Sequence, residues 1–295
     1  LTNQISQKMF VIYTDSNGTP IWSNDALNHT SWALPISAEF NSINELIILG
    51  EFYANITIGT ESYSAKGPND LFLLSLNGNG DISQHAVFGS EGTGKDIATS
   101  LTIADSNAIY ISASASVGSV VKFSPEFNIE WTDSIFSANG YYSSKTYELL
   151  YNSELDVIIV VGDFYMNITI GEFYHEGDNQ SYRGFHTSFI TPEGVWKNSI
   201  GFKGGTGSSR DVIRNIAIIN HNKILLSGVF SGDNYNYDEF FSKNGFLIEL
   251  TLSYEDSDGD GIENSQDDCP LSIISTCSSS GNWIFSKEVY DVPDS

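Results

Sequence analysis

The chain has 295 residues, 40% of them hydrophobic, with 5 Trp, 15 Tyr and 18 Phe; that is enough apolar and aromatic side chain for a packed core and excludes a wholly disordered polypeptide. Its 13 Lys and Arg against 37 Asp and Glu leave a formal charge of −24, which argues against nucleic acid or an anionic membrane surface as partner, because both are bound through clustered cations. The densest apolar run, Val157 to Val161, is strand-sized and far short of the roughly 18–20 residues of a membrane-spanning helix.

The opening residues Leu1 to Gln4 carry neither an initiator Met nor the charged and apolar regions of a signal peptide, so the chain reads as a processed or excised piece. From there, short β-branched and aromatic segments recur between Gly, Asn, Asp and Ser, with alternation such as Ile56-Thr57-Ile58. No window shows a capped helical period. Strands begin at Met9, Leu71, Val120, Phe185 and Phe246, spaced 62, 49, 65 and 61 residues apart. After most of them come a turn and a second strand: Asn17-Gly18 before Trp22, Asn77 to Gly80 before His85, Asn128 before Trp131, Gly194 before Trp196. A third and a fourth strand complete each unit in this reading. The fourth is the clearest, LIILGEFYANITIG over 46–59 and VIIVVGDFYMNITIG over 157–171, so that (Glu/Asp)-Phe-Tyr-x-Asn-Ile-Thr-Ile-Gly recurs after 112 residues, or two units. Weaker copies stand at 109–118 and 224–232.

Such a repeat predicts an all-β fold, a β-propeller of four-stranded blades over residues 1–252, with about four and a half units in view. One blade cannot bury both of its faces alone, whereas neighbours stacked around an axis cover them. The stretch Asp70 to Gly118, DLFLLSLNGNGDISQHAVFGSEGTGKDIATSLTIADSNAIYISASASVG, resembles the secreted bacterial and archaeal β-propeller repeat often called SBBP. The resemblance covers roughly residues 8–252. It departs from that pattern at His85, which stands near the usual Trp, and at long insertions over 60–69 and 172–183.

Residues Asp256 to Pro270 read DSDGDGIENSQDDCP. Carboxylates at positions 1, 3 and 5, Gly at 6, an oxygen side chain at 9 and a carboxylate at 12 give the ligand spacing of a Ca²⁺ loop, since alternate residues of a tight turn point inward. Asp256, Asp258 and Asp260 would supply side chains, Ile262 its carbonyl, Asn264 a direct or water-mediated contact, and Asp267 the closing carboxylate. No helical period flanks the loop, so it is not a helix-loop-helix hand. The run with its trailing Cys-Pro resembles a thrombospondin type 3 repeat, which implies calcium, disulfides and an extracellular or cell-surface setting for residues 253–295. Residues 255–295 carry ten acids and one lysine; without metal such a segment repels itself. The only cysteines, Cys269 and Cys277, fit one local disulfide in an oxidising compartment, a pair of free thiols being the alternative.

Other motifs are weaker. Gly89 to Asp96, GSEGTGKD, has Gly-x4-Gly-Lys, yet Asp96 takes the place of the Mg²⁺-binding hydroxyl and its charge repels phosphate, so an interblade loop is the reading. His29, His85, His175, His186 and His221 form no metal-binding pair spacing. Sequons stand at Asn28, Asn55, Asn167 and Asn179, two of them at matched repeat positions that suit a structural turn equally well. Trp22, Trp131 and Trp196, at repeated strand positions, are expected to pack between blades, while other Trp and Tyr residues are candidates for lining a sugar site.

These readings converge on an extracellular or cell-surface, calcium-binding, non-enzymatic binding or adhesion module with a polysaccharide or protein ligand. The alternatives are a self-associating component of a surface layer or filament, and a propeller-type glycan-active enzyme.

Overall fold

The computed structural model describes residues 9–25, 27–29, 32–114, 118–137, 145–165, 167–176, 183–202, 212–220, 223–229, 246–253 and 284–291. The calcium loop with Asp256, Asp258, Asp260, Ile262, Asn264 and Asp267, and both Cys269 and Cys277, lie outside the described residues. Among the described residues there are twenty-four β-strands in small antiparallel sheets and no helix, hence none long and apolar enough to cross a membrane. The expected all-β class is what the chain adopts. The chain divides into two compact units, Leu1–Tyr151 and Asn152–Ser295.

In the first unit, β1 (Val11–Thr14) and β2 (Pro20–Asn24) form a two-stranded hairpin. After β3 (Leu27–His29), the strands β4 (Ala33–Phe40), β5 (Leu46–Phe52), β8 (Asp70–Leu76) and β9 (Ile82–Phe88) make a sheet in the order β4-β5-β8-β9. Inserted between β5 and β8 is the hairpin of β6 (Asn55–Ile58) and β7 (Glu61–Ser64), which β3 joins through β6. Then β10 (Ile97–Ile103), β11 (Ile109–Ser114), β12 (Gly118–Phe123) and β13 (Ile129–Ser134) pair in sequence order, followed by β14 (Phe136–Ser137) and β15 (Lys145–Asn152).

In the second unit, β16 (Val157–Tyr165), β19 (Arg183–Ile190) and β20 (Trp196–Phe202) pair in that order, with the hairpin of β17 (Ile168–Ile170) and β18 (Phe173–His175) inserted between β16 and β19. The strands β21 (Val212–Asn220), β22 (Lys223–Val229), β23 (Phe246–Ser253) and β24 (Ile284–Asp291) form the last sheet in sequence order. Thus β24, which lies within the segment 253–295, is the fourth strand of a sheet whose other members precede it.

The sheets correct the phase of the unit read from sequence. The strands beginning at Ala33 and Leu46 do not close a sheet with those at Val11 and Pro20; they pair forward, β5 with β8 from Leu46↔Leu76 to Phe52↔Asp70. The long insertions noted at 60–69 and 172–183 contribute β7 and β18, the return strands of two equivalent hairpins. The recurrent NITIG segment is therefore not the end of a fourth strand but the first strand of that insertion and its turn.

Burial explains why β8 carries the consecutive apolar run Leu71 to Leu74 rather than an alternating pattern. Every residue of Asp70–Leu76 is buried. Leu71 and Leu73, with Ile47 and Leu49, face Leu101, Ile103, Ile109, Ile111 and Phe123 of the β10–β13 sheet. Phe72, Leu74 and Leu76, with Ile48 and Phe52, face Met9, Leu27, Ile56 and Ile58 on the other side. A strand covered on both faces has no solvent side to demand polar residues.

The turns share one construction. In Asp15–Thr19, Asn41–Glu45, Asn77–Asp81, Ala104–Ala108, Ser124–Asn128 and Thr191–Val195, the first residue's N–H donates to the fifth residue's carbonyl and the fourth residue's N–H donates back to the first. The fourth residue has a positive φ, from Gly80 at 83° and Gly194 at 86° to Asn44, Asn107 and Phe127 near 61°. This is a three-residue hairpin loop whose left-handed residue favours Gly or Asn. Asp15 and Asn77 also accept the N–H two residues on through their side chains, the local competition that makes Asx residues turn starters.

Candidate functional site

The most polar buried cluster of the first unit lies where β5, β8 and β10 meet the loops 65–69 and 89–96. Asn69 is fully buried, and its Nδ2 donates to Glu51 Oε2 at 2.8 Å and to the Asp96 carbonyl at 2.5 Å. Both amide hydrogens are thereby used, and its Oδ1 finds no hydrogen-bond partner among the described residues. Asp96 accepts the N–H and the hydroxyl of Ser90 at 2.8 and 2.7 Å. Asp70 is buried against Gly89, where a Cβ would lie 2.3 Å from its carboxyl carbon, and accepts the N–H of Lys66 at 3.1 Å.

Burial pushes the Asp70 carboxyl up, the backbone N–H groups of Lys66 and Gly67 oppose that, and the Asp96 charge adds to it. Burial likewise raises Glu51, against the pull of the Lys95 ammonium and the Asn69 hydrogen bond. Above these acids, the exposed Lys95 holds its ammonium 5.6 Å from the ring centre of Tyr53. Tyr53 stacks on Trp32 with centroids 3.9 Å apart and planes at 27°, and its N–H bonds the Trp32 carbonyl. Both rings are half-buried. The result is an aromatic platform flanked by a cation and a carboxylate, on a base held by buried hydrogen bonds.

The segment 89–96 is a loop, as expected, and carbonyl oxygens gather on one side of it. The carbonyl oxygens of Ser90, Gly92 and Gly94 converge on Gly67, within 3.1, 3.4 and 3.6 Å of where its Cβ would be.

A second pair of contacts repeats between the inserted hairpins and the sheets below them. Tyr63 on β7 donates to Glu61 Oε2 at 2.6 Å and meets His85 Nε2 on β9 at 2.9 Å. The bond to Glu61, with burial and the Glu61 charge, pushes the Tyr63 phenol up to about 12. At the matching places on β18 and β20, His175 Nε2 meets Ser199 Oγ at 2.6 Å, so the imidazole has changed sides. There the network runs inward: Ser199 to Ser188 at 2.7 Å, and Ser188 to His186 Nδ1 at 2.9 Å. His186 is fully buried, its Nε2 finds no partner among the described residues, and burial, with the nearby His175, pushes it down to about 3. Among the described residues no group of three or more His, Cys, Asp or Glu side chains is placed to hold a metal. A separate cavity of about 110 Å³ is lined mainly by the apolar parts of Ile97, Thr99, Ala113, Lys145, Thr146 and Tyr147.

Of the tryptophans expected to pack between blades, Trp22 lies over Gly80 and donates through Nε1 to the Gly78 carbonyl at 3.0 Å, joining the β1–β2 hairpin to the next sheet. Trp196 instead covers Gly171, at the turn of the inserted hairpin. Trp131 lies 6.0 Å from Tyr110. Asn55 is exposed, and its Oδ1 accepts the hydroxyl of Ser64, its cross-strand partner, at 2.7 Å, so it stands on a strand rather than in the turn. His221 and the sequon at Asn179 lie outside the described residues. Sequence reasoning did not single out Trp32 or Asn69, and met Tyr53 and Lys95 only within the recurrent Phe-Tyr motif and the Gly-x4-Gly-Lys loop. The available signal was that Trp32 stands at none of the repeated strand positions occupied by Trp22, Trp131 and Trp196.

No family model and no curated protein matches this chain. Two solved structures are similar at low sequence identity. One is a protein of unknown function from Bacteroides caccae, at 7% identity and a TM-score of 0.40, covering 80% of this chain and 76% of that one. The other is BBS1N in complex with ARL6DN, at 9% identity and a TM-score of 0.23, covering 70% of this chain and 84% of that one. Likenesses of this degree assign neither a fold nor an activity.

Proposed function

We propose that this chain is a non-enzymatic binding module of an extracellular or cell-surface protein, a β-propeller whose Trp32–Tyr53–Lys95–Glu51 face takes a surface polysaccharide. The observation that carries the reading is the stacked Trp32–Tyr53 pair beside Lys95 and Glu51. An aromatic face accepts the apolar face of a sugar ring, while an ammonium and a carboxylate at its rim pair with the hydroxyls. The Asn69, Asp70 and Asp96 bonds hold the loops beneath at fixed geometry, which lowers the ordering cost of binding. The propeller part is supported by the recurring strand pairs and by a sheet buried on both faces, as stacked blades require.

The calcium-binding part rests on the spacing of Asp256, Asp258, Asp260, Ile262, Asn264 and Asp267 and on its resemblance to a thrombospondin type 3 repeat. Ca²⁺ there would cancel carboxylate repulsion and set the direction of the acidic segment.

The test is a panel of acidic and neutral polysaccharides titrated against the whole chain, with Trp32→Ala beside it. Saturable binding that Trp32→Ala abolishes, while its circular dichroism spectrum is unchanged, is the expected result. Binding that survives Trp32→Ala moves the site elsewhere. In parallel, calorimetric Ca²⁺ titration is expected to show a site lost in Asp260→Ala. A flat titration at millimolar Ca²⁺ removes the calcium part alone.

A further inference from the structure

The loop 65–69 joins β7 to β8, and the loop 89–96 joins β9 to β10. Where the two meet, a Cβ on Gly67 would find as its three nearest heavy atoms the carbonyl oxygens of Ser90, Gly92 and Gly94, at 3.1, 3.4 and 3.6 Å. At no other described glycine are the three nearest atoms all oxygens. Alternate residues of one loop thus turn their carbonyls to the same side, which is how a tight loop offers backbone oxygens to a hard cation. Carbonyl dipoles aimed at one point repel each other unless a donor or a positive charge stands between them.

No protein donor fills that place. None of the three carbonyls accepts a hydrogen bond among the described residues. The donors nearby are spent elsewhere. Lys66 and Gly67 give their N–H groups to Asp70 Oδ1 at 3.1 and 3.5 Å, and Ser90 gives its N–H and hydroxyl to Asp96. The Asn69 amide goes to Glu51 and to the Asp96 carbonyl, and the Lys95 ammonium stands over the Tyr53 ring. Acceptors are left in excess. Fully buried Asn69 keeps an Oδ1 with no partner among the described residues, and Asp70 and Asp96 are 1% and 5% exposed. These two carboxylates are close enough for the Asp96 charge to add to burial in raising Asp70. Ordered water could satisfy the carbonyls, but only a cation also offsets two buried negative charges.

We propose that the loop 90–94, closed against Gly67, is a Ca²⁺ site whose protein ligands are the carbonyl oxygens of Ser90, Gly92 and Gly94, with water completing the shell and Asp70 and Asp96 supplying the negative field. The oxygens must draw in by roughly 1 Å to reach Ca²⁺ bonding distance, and Ca²⁺ accepts carbonyls and waters in flexible geometry where Mg²⁺ demands a near-ideal octahedron. Gly92 and Gly94 are exposed, so the loop is free to make that adjustment. Glycine is required at 67 because any side chain would occupy the point on which the oxygens converge. An occupied site ties the β7–β8 loop to the β9–β10 loop and fixes the stretch that carries Lys95. The inference depends neither on the polysaccharide reading nor on the acidic loop at 256–267, which uses other residues.

The test is calorimetric titration of CaCl₂ into the 295-residue chain carrying Asp260→Ala, which disables the other candidate loop, with MgCl₂ as the comparison. One Ca²⁺ per chain is expected, with Kd of about 10⁻⁴–10⁻³ M, as suits a site poor in charged ligands, and weaker Mg²⁺ binding. Adding Gly67→Ala should weaken Ca²⁺ binding at least tenfold. Gly67 has no left-handed φ, so alanine fits its backbone and the far-ultraviolet spectrum should not change. Should Gly67→Ala unfold the chain, Asp96→Asn decides instead, by an expected several-fold loss of affinity from the missing charge. Two results overturn the proposal. A flat Ca²⁺ titration of the Asp260→Ala chain at millimolar concentration would mean that water alone serves the carbonyls. Binding that persists unchanged in folded Gly67→Ala, or in Asp96→Asn where that variant decides, would place the ion elsewhere.

Discussion

Replacing His186 by Phe, the residue its repeat partner Phe72 already is, should make the chain resistant to mild acid. In the folded chain His186 is fully buried, and burial, with the nearby His175, pushes it down to about 3. An unfolded histidine titrates near 6.5. Between these values the unfolded state binds a proton that the folded state refuses, so stability rises with pH across the window. It is fully present above about 6.5 and is lost progressively as pH falls toward about 3. Each pH unit in the window is worth about 1.4 kcal/mol, so at pH 4.5 the wild type should have lost about 2.7 kcal/mol from this group alone. Acids with raised pKa values, Glu39, Glu51 and Asp70, act in the opposite sense, losing their contribution as pH rises through their folded values. They are common to both proteins and cancel in the difference. The assay is urea unfolding followed by tryptophan fluorescence at pH 7.0, 5.5 and 4.5. His186→Phe is expected to narrow the loss between pH 7.0 and 4.5 by about 2–3 kcal/mol. Parallel pH profiles for the two proteins would refute the reasoning.

Three further perturbations test the packing. Gly80→Val would place a Cβ 2.7 Å from the Trp22 ring at a φ of 83°, so a loss of about 2–4 kcal/mol is expected in urea unfolding, with a shifted Trp emission maximum. Phe72→Ala removes a fully buried ring from between two packed layers and should cost about 3–5 kcal/mol by the same assay; a value below about 1 kcal/mol would mean that the layers close over the gap. Tyr63→Phe breaks the bonds to Glu61 and His85 and should remove the phenol titrating near 12 from an ultraviolet pH titration while costing only about 1 kcal/mol. A titration curve unchanged near 12 would assign that group elsewhere.

The local features of this fold are legible residue by residue. Strands at 46–52, 71–76 and 185–190 announce themselves by β-branched and aromatic runs, and their turns by Asp15, Asn77 and Gly80, because a hairpin loop is built from contacts a few residues apart. The same holds for the 112-residue recurrence, which reappears as equivalent inserted hairpins β6–β7 and β17–β18. The Trp32–Tyr53–Lys95–Glu51 face was not legible in this way. Its residues come from three separate stretches, Trp32, Glu51 to Tyr53 and Lys95, and no spacing relates the three until Tyr53 N–H bonds Trp32 and Asn69 ties Glu51 to Asp96.

The sequence by itself therefore determined the strand content, the turn geometry and the existence of a repeat, since each depends on backbone preferences and side-chain period over a few residues. Only the tertiary structure decided how the strands are grouped. β5 has two edges, and its apolar pattern serves β4 and β8 equally; what selects β8 across the inserted hairpin is the burial of Phe72 over Gly50 and of both sheet faces at once. The placement of Lys95 above Tyr53 follows from that grouping.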